Sequence, residues 1–210
     1  MIRVISADDH AIVRSGVKQL LADADDMALV GEAKNGAELM QLLQAQPCDI
    51  VLLDISMPGR DGLSLLRDIR SKWPGIAVLM LTMHPGDLYA VRTLRGGAAG
   101  YLTKDSVPEE LIKAIRRVAS GARYIPPGLA ESLAATFVAE GDRALHESLS
   151  DREFAVLCRI GAGKTVGRIA EELFLSANTV STYRTRLLTK LKLNTTVELI
   201  RYVVDHHLNS

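Results

Sequence analysis

Three aspartates, a threonine and a lysine are the residues of this 210-residue chain best placed for joint chemistry. Asp8 and Asp9 follow the apolar run 2–7, Asp54 ends the run 50–53, Thr82 follows 77–81, and Lys104 comes just after 100–102. Each therefore stands at the carboxyl end of a run that reads as a buried strand. In an open parallel sheet, ligands bind beyond those ends, where the strand order reverses. Neighbouring carboxylates repel one another unless a cation sits among them. Oxygen-only ligation suits Mg²⁺, which takes a few carboxylates and keeps several waters. A dication, an ammonium and a hydroxyl on one rim would hold the equatorial oxygens of a phosphoryl group. Asp54, on the central run, is then the nucleophile, forming an aspartyl phosphate.

The elements that must position these groups are legible in the hydrophobic pattern. Five strands, 2–7, 29–33, 50–53, 77–81 and 100–102, alternate with helices at about 11–22, 36–45, 62–72, 87–96 and 107–120. In the first helix, Ile12, Val13, Val17, Leu20 and Leu21 read as one apolar face. Such alternation predicts a doubly wound α/β domain with a parallel sheet covered on both faces. After Gly121 the rhythm stops. Pro126-Pro127-Gly128 breaks the chain, 129–139 could form a short helix, and about 122–147 reads as a linker. From Ser150 on, everything reads as helix. Ser150 and Glu153 have capping-box spacing before Phe154, Leu157 and Ile160. Gly161 and Gly163 stop that helix, Thr165 caps a second through Leu173, Ser176 caps a third through Leu191, and a fourth runs about 196–207. The predicted division is 1–121, a linker 122–147, and 148–210.

Composition limits the function classes. Hydrophobic residues are 48% and charged residues 24% of the chain, the balance of a globular protein. Its 25 basic and 25 acidic groups cancel, but the sum hides an asymmetry. Residues 1–130 balance, 131–147 carry one basic and four acidic groups, and 148–210 carry nine basic and six acidic ones. Different partners for the two ends follow. Cys48 and Cys158 are too few for a disulfide framework or zinc cluster, which points to a reducing compartment. No signal-peptide pattern and no apolar run of about 18 residues is present, so the expectation is a cytoplasmic protein that does not enter a membrane.

Asp8-Asp9-His10, the DISMPGRDG run from Asp54 to Gly62, Leu81-Thr82 and the GYLTK run from Gly100 to Lys104 resemble the receiver domain of two-component response regulators. The resemblance covers residues 1 to about 121. It implies a flavodoxin-like (βα)5 fold of strand order 2-1-3-4-5, with Mg²⁺ on Asp8, Asp9, Asp54 and the backbone carbonyl of Ser56. Asp54 would take a phosphoryl group from a sensor histidine kinase and lose it slowly to water. Thr82 would then swing to the phosphoryl oxygen, Tyr101 would turn inward behind it, and Lys104 would pair with the phosphate. Asp105 stands where many relatives have proline. Met83 is larger than the usual residue after the threonine, and with His84 it is expected to affect attack by water.

The third helical segment of the C-terminal part, 177–192, carries Arg184, Arg186, Lys190 and Lys192 and no acidic residue. Val180, Leu187, Leu188 and Leu191 would bury its other face. Its first turns offer Asn178, Thr179, Ser181 and Thr182 to base edges or phosphates, as a recognition helix does in the major groove. Leu149 to Glu153, Gly161 to Lys164, Ile169 to Leu173, Leu175-Ser176, and Thr179-Val180 through Lys190-Leu191 resemble the LuxR-type four-helix DNA-binding domain. The whole chain thus resembles the NarL/FixJ subfamily, and Ser181 to Arg184 resembles a branch that includes virulence regulators such as BvgA. That resemblance implies promoter DNA as a partner, RNA polymerase as a further contact, dimerisation on phosphorylation, and pairing of output domains through the last helix. Arg184, Arg186 and Lys190 are the expected phosphate or base contacts.

Other readings remain beside this one. A haloacid-type phosphatase also uses an aspartate nucleophile, but it expects a second aspartate two residues later, where this chain has Ser56. A regulator with an intact pocket, controlled by a protein partner without phosphorylation, needs the same residues. Gly161 to Thr165 looks like a nucleotide-binding loop but lacks its earlier glycine, Cys158 standing there, so a helix stop is expected. His206-His207 reads as an exposed helix end, the two cysteines as ordinary thiols, His10 as a pocket-rim or capping group, and Trp73 as cover for a core edge.

Overall fold

A computed structural model describes residues 1–57, 62–82, 87–106, 108–126, 145–206 and 208. The chain divides into two compact units, Met1–Leu133 and Ala134–Ser210. In the first, strands β1 (Ile2–Ala7), β2 (Met27–Ala33), β3 (Ile50–Asp54), β4 (Ala77–Thr82) and β5 (Gly100–Thr103) alternate with helices α1 (Ala11–Ala22), α2 (Gly36–Ala45), α3 (Gly62–Lys72), α4 (Asp87–Arg95) and α5 (Pro108–Ala119). All strand pairs are parallel and the order is β2-β1-β3-β4-β5. The expected strand order is therefore observed. The central strand β3 is buried at every position, as a strand covered on both faces must be.

Packing explains why the strand ends hold still. Val4, Ile50, Leu52, Leu79, Leu81 and Leu102 form one core with Val17 and Leu21 of α1 and Leu111, Ile115 and Val118 of α5. Each such side chain stabilises the fold by about 1.5–3 kcal/mol on burial. Helix α5 carries Glu109 and Glu110 in its first turn and Arg116 and Arg117 in its last, matching its dipole. The five-residue apolar face expected for α1 needs correction. Val17 and Leu21 are buried and Val13 and Leu20 pack beside them, but Ile12 is 88% exposed. Five residues separate Ile12 from Val17, which on a 3.6-residue turn sets them well apart around the helix.

Beyond β3, Gly62 opens α3 directly against the strand end. Its N–H donates to the Ile55 carbonyl at 3.0 Å. A Cβ there would lie 2.5 Å from the Asp54 carbonyl oxygen and 2.7 Å from the Ile55 Cα, both backbone atoms. Glycine is required by this close approach.

In the second unit a 3₁₀ turn (Leu145–Ser148) precedes α6 (Asp151–Gly161), α7 (Val166–Glu172), α8 (Ala177–Leu191) and α9 (Thr196–Asp205). The side chains of Ser150, Thr165, Ser176 and Thr195 accept from the backbone N–H three residues on, so a hydroxyl caps every one of these helices. Phe154, Leu157, Ile160, Ile169, Val180, Leu187, Leu191, Leu199 and Val203 form the buried core. Gly163 at φ 73° ends the α6 turn, as expected of a helix stop. The possible helix at 129–139 and most of the expected linker lie outside the described residues, as does His207.

Gly62→Ala is expected to lower the unfolding free energy by about 1–3 kcal/mol, because backbone has to move. Chemical denaturation checks it; an unchanged midpoint would show that the α3–β3 approach has slack.

Candidate functional site

The sheet brings the predicted acidic residues together. Asp8 leaves β1 with its amide bonded to the Ala33 carbonyl at 3.0 Å, and Arg14 donates to the Asp8 carbonyl at 2.7 Å. Asp54 is the last residue of β3, in register with Leu81 of β4, and its Oδ1 accepts from the Ser56 amide at 3.2 Å. Lys104 follows β5 and donates its amide to the Thr82 carbonyl at 2.7 Å. Its ammonium lies 2.7 Å from Asp8 Oδ2 and 2.8 Å from Asp54 Oδ2. All three side chains are nearly sealed, 2–3% exposed.

Two carboxylates facing one ammonium leave negative charge uncompensated. Burial pushes the Asp54 carboxyl above its ordinary value, Lys104 opposes the rise, and the Asp8 charge adds to it. Asp8 Oδ2, Asp9 Oδ1 and Asp54 Oδ2 are buried without a well-formed hydrogen bond, the contacts to Lys104 being ion pairs only. Ligand atoms of Asp8, Asp9, His10 and Asp54 lie within 4.8 Å of one another. Buried anionic oxygens left in that state fit a hard dication. Thr82 and Tyr101 are also buried, at 1% and 2% exposure. Tyr101 thus already occupies the interior, where a later inward turn was expected. Met83 and His84 lie outside the described residues.

His10 is at the pocket rim, as expected, but makes no cap on α1. Its Nδ1 lies 3.1 Å from Asp8 Oδ1 and 2.9 Å from Asp9 Oδ1. Cys48 is buried, which pushes its thiol up to about 11, and Cys158 is half-buried; neither is in a disulfide.

In the second unit, α8 buries Val180, Leu187 and Leu191, while Leu188, expected in the same face, is half-buried. Asn178, Thr182, Arg186 and Lys190 are exposed, while Thr179, Ser181 and Arg184 are half-buried. Thr179 is held to the cap by Ser176 Oγ at 2.8 Å, and Thr182 donates to the Asn178 carbonyl at 3.0 Å. Lys190 has a partner that local spacing did not reveal. Its ammonium donates to Glu153 Oε2 at 2.7 Å, and Glu153 is 4% exposed. The same carboxylate accepts from the Ser150 amide and hydroxyl, each at 2.8 Å. One capping group thereby joins α8 to the start of α6. Helix α9 leaves Val197 and Val204 exposed at 75% and 52%, seven residues apart on one stripe.

Known proteins resemble the chain along its length. Residues 4–116 match the response regulator receiver domain, and residues 147–203 match the bacterial regulatory proteins of the luxR family. Identity to the response regulator UvrY of Escherichia coli O157:H7 is 38% over 209 residues, 99% of this chain and 96% of that protein. The response regulator GacA of Pseudomonas aeruginosa is 38% identical over 207 residues, 98% of this chain and 97% of that protein. Among solved structures, RcsB of Salmonella enterica serovar Typhimurium, bound to promoter rprA with the phosphomimetic BeF3-, superposes with a TM-score of 0.65 at 30% identity. The match covers 97% of this chain and 99% of that one.

Burial raises the Glu153 carboxyl, but Lys190 and Ser150 outweigh it and hold it below the ordinary value. A depressed folded value means that the pair stabilises fully above the unfolded pKa of about 4.3 and fades as pH falls through the folded one. Lys190→Met should cost about 1–2 kcal/mol at neutral pH, Lys190 being half exposed. Denaturation of both proteins across pH 7 to 3 checks this (range chosen about the reference value). The gap should close at the acid end, and a gap constant with pH would mean that the ion pair is not its source.

Proposed function

The chain belongs to the response regulators that join a receiver domain to a LuxR-type DNA-binding domain, and from that premise we propose how its own residues carry the signal. Residues 1–121 receive it, 122–147 link, and 148–210 read DNA. Asp54 is the phosphoacceptor. A carboxylate oxygen of Asp54 attacks the phosphorus of a phosphohistidine on a sensor kinase. The P–N bond breaks, and its electron pair leaves on the imidazole nitrogen. Asp8, Asp9, Asp54 and the Ser56 carbonyl would hold Mg²⁺, whose charge offsets that of the phosphoryl oxygens. Lys104 passes from its carboxylate partners to the new phosphate, and the Thr82 hydroxyl, at the neighbouring strand end, donates to it. Tyr101, two residues along β5 from the position Thr82 faces, answers that movement. Water later attacks the acyl phosphate and restores the carboxylate. The chain acts as a phosphoryl-controlled regulator of transcription in the cytoplasm, not as an enzyme with a separate substrate.

The observation that carries this reading is the single ammonium of Lys104 between Asp8 and Asp54 at the carboxyl end of the central strands. On the output side, Asn178, Thr179, Ser181, Thr182, Arg184 and Arg186 on α8 supply base and phosphate contacts. Lys190 enters that set with its ammonium already engaged by Glu153. The exposed Val197 and Val204 on α9 support pairing of two output domains, so that a two-fold dimer reads two half-sites of promoter DNA. RNA polymerase is a further partner of the DNA-bound dimer.

Incubation with acetyl phosphate and Mg²⁺, followed by intact mass and gel filtration, tests the receiver half. Wild type should gain one phosphoryl group and shift toward a dimer, and Asp54→Asn should do neither. Equal labelling of both would end the assignment of Asp54, whereas a dimer without labelling would favour control by a protein partner. On DNA, Arg186→Ala should lower the slope of log affinity against log salt by about one unit. Equal loss at every salt concentration would count against a phosphate contact.

A further inference from the structure

The chain that leaves α5 turns back onto the sheet before it enters the linker. The Ala122 amide closes the helix end on the Arg117 carbonyl at 3.2 Å, and residues 123–126 then run along the free edge of β5, the outermost strand. Tyr124 donates its N–H to the Ala99 carbonyl at 2.9 Å and accepts from the Tyr101 N–H at 3.2 Å. These bonds make one isolated parallel bridge opposite Gly100. The approach is close, since a Cβ on Gly100 would lie 2.8 Å from the Tyr124 carbonyl oxygen.

Two side chains complete the seat. Tyr124 is buried in the core that holds Leu79, Leu102 and Leu111, and its hydroxyl donates to Glu110 Oε1 of α5 at 2.8 Å. Burial, and behind it the bond to Glu110, push this phenol up to about 12, so it remains a donor. Ile125 packs on Val91 and Leu94 of α4, in a small cluster apart from that core. The segment thus touches α4, β5 and α5 at once. Its grip is short by construction. In a parallel ladder the next donor to β5 would be residue 126, which is a proline and has no N–H to give.

Resting on the reading of Asp54 as phosphoacceptor, we propose that residues 123–126 are a strap that holds the start of the linker against the receiver at rest, and that phosphorylation of Asp54 opens it. Thr82 is paired with Thr103 across β4 and β5, and α4 begins at Asp87, five residues beyond Thr82. Movement of Thr82 and Lys104 toward a phosphoryl group therefore disturbs both the strand that grips Tyr124 and the helix that seats Ile125. A segment held by one bridge, one hydroxyl and one apolar contact opens locally, without loss of the five-stranded core. Opening adds four residues to the tether of the DNA-reading unit, about 14 Å of reach at full extension.

Mg²⁺ with beryllofluoride, a phosphoryl mimic, serves as the probe on the full-length chain. Fluorine resonances report occupancy of the pocket, and amide hydrogen exchange reports the strap. In wild type the Tyr124 and Tyr101 amides should exchange about tenfold faster once the mimic is bound, while the Ala77 amide, bonded to the Asp49 carbonyl, stays unchanged. Ile125→Ala should exchange about tenfold faster at Tyr124 without the mimic and gain less than about twofold with it. Bound mimic with both tyrosine amides still protected would overturn the strap and leave Asp54 as phosphoacceptor. Equal occupancy in Asp54→Asn, or none in wild type, would overturn the phosphoacceptor and the trigger of the strap together.

Discussion

The Lys104 ammonium, held 2.7 and 2.8 Å from the carboxylates of Asp8 and Asp54, is the interaction on which the receiver depends. It draws together the ends of β1, β3 and β5, and it does so inside the protein, where charge is costly unless paired. Among the described residues, the ammonium of Lys104 does not balance the neighbouring carboxylates of Asp8, Asp9 and Asp54, so the pocket favours further positive charge. The sheet makes this arrangement firm. With β3 buried throughout and Gly62 packed against its end, Asp54 has little freedom to turn away.

The output unit solves a similar problem with one carboxylate. Glu153 caps α6 through Ser150 and holds Lys190 near the end of α8, so the start of α6 and the end of α8 share a group. A second carboxylate, Glu172 at the end of α7, pairs with Arg159, Lys164 and Arg168. These ties fasten α7 and α8 each to α6, while Asn178, Thr182 and Arg186 face outward. The basic character of this segment is thus partly internal. Several of its cations, among them Arg159, Lys164, Arg168 and Lys190, brace the fold.

Much of this was legible in the chain because strand and helix periods are local. The apolar runs 50–53 and 77–81, followed by Asp54 and Thr82, pointed to buried parallel strands, and the carboxyl ends of such strands lie on one rim. Hydroxyls at Ser150, Thr165 and Ser176 announced their helices for equally local reasons. Where the pattern was weaker, the reading slipped. Ile12 looked like core because it is apolar and near Val13, yet it faces solvent. β4 and β5 extend one residue beyond their apolar runs, to Thr82 and Thr103, because ladder pairing continues where hydrophobicity stops, and β2 begins earlier than expected because Met27 is itself buried core paired with Ile2.

Residue types and their order along the chain determined the alternation of strands and helices, the helical character of the C-terminal part and the candidate nucleophile, while the strand order 2-1-3-4-5 was legible only through the resemblance to receiver domains. Tertiary structure alone decided which charges meet. That Lys104 bridges Asp8 and Asp54, that Lys190 answers Glu153 across 37 positions, and that His10 turns from its helix toward two carboxylates are matters of side-chain direction and long-range approach. Periodicity tells which face a residue occupies. Only packing, by bringing distant segments within about 3 Å, selects the partner it finds there.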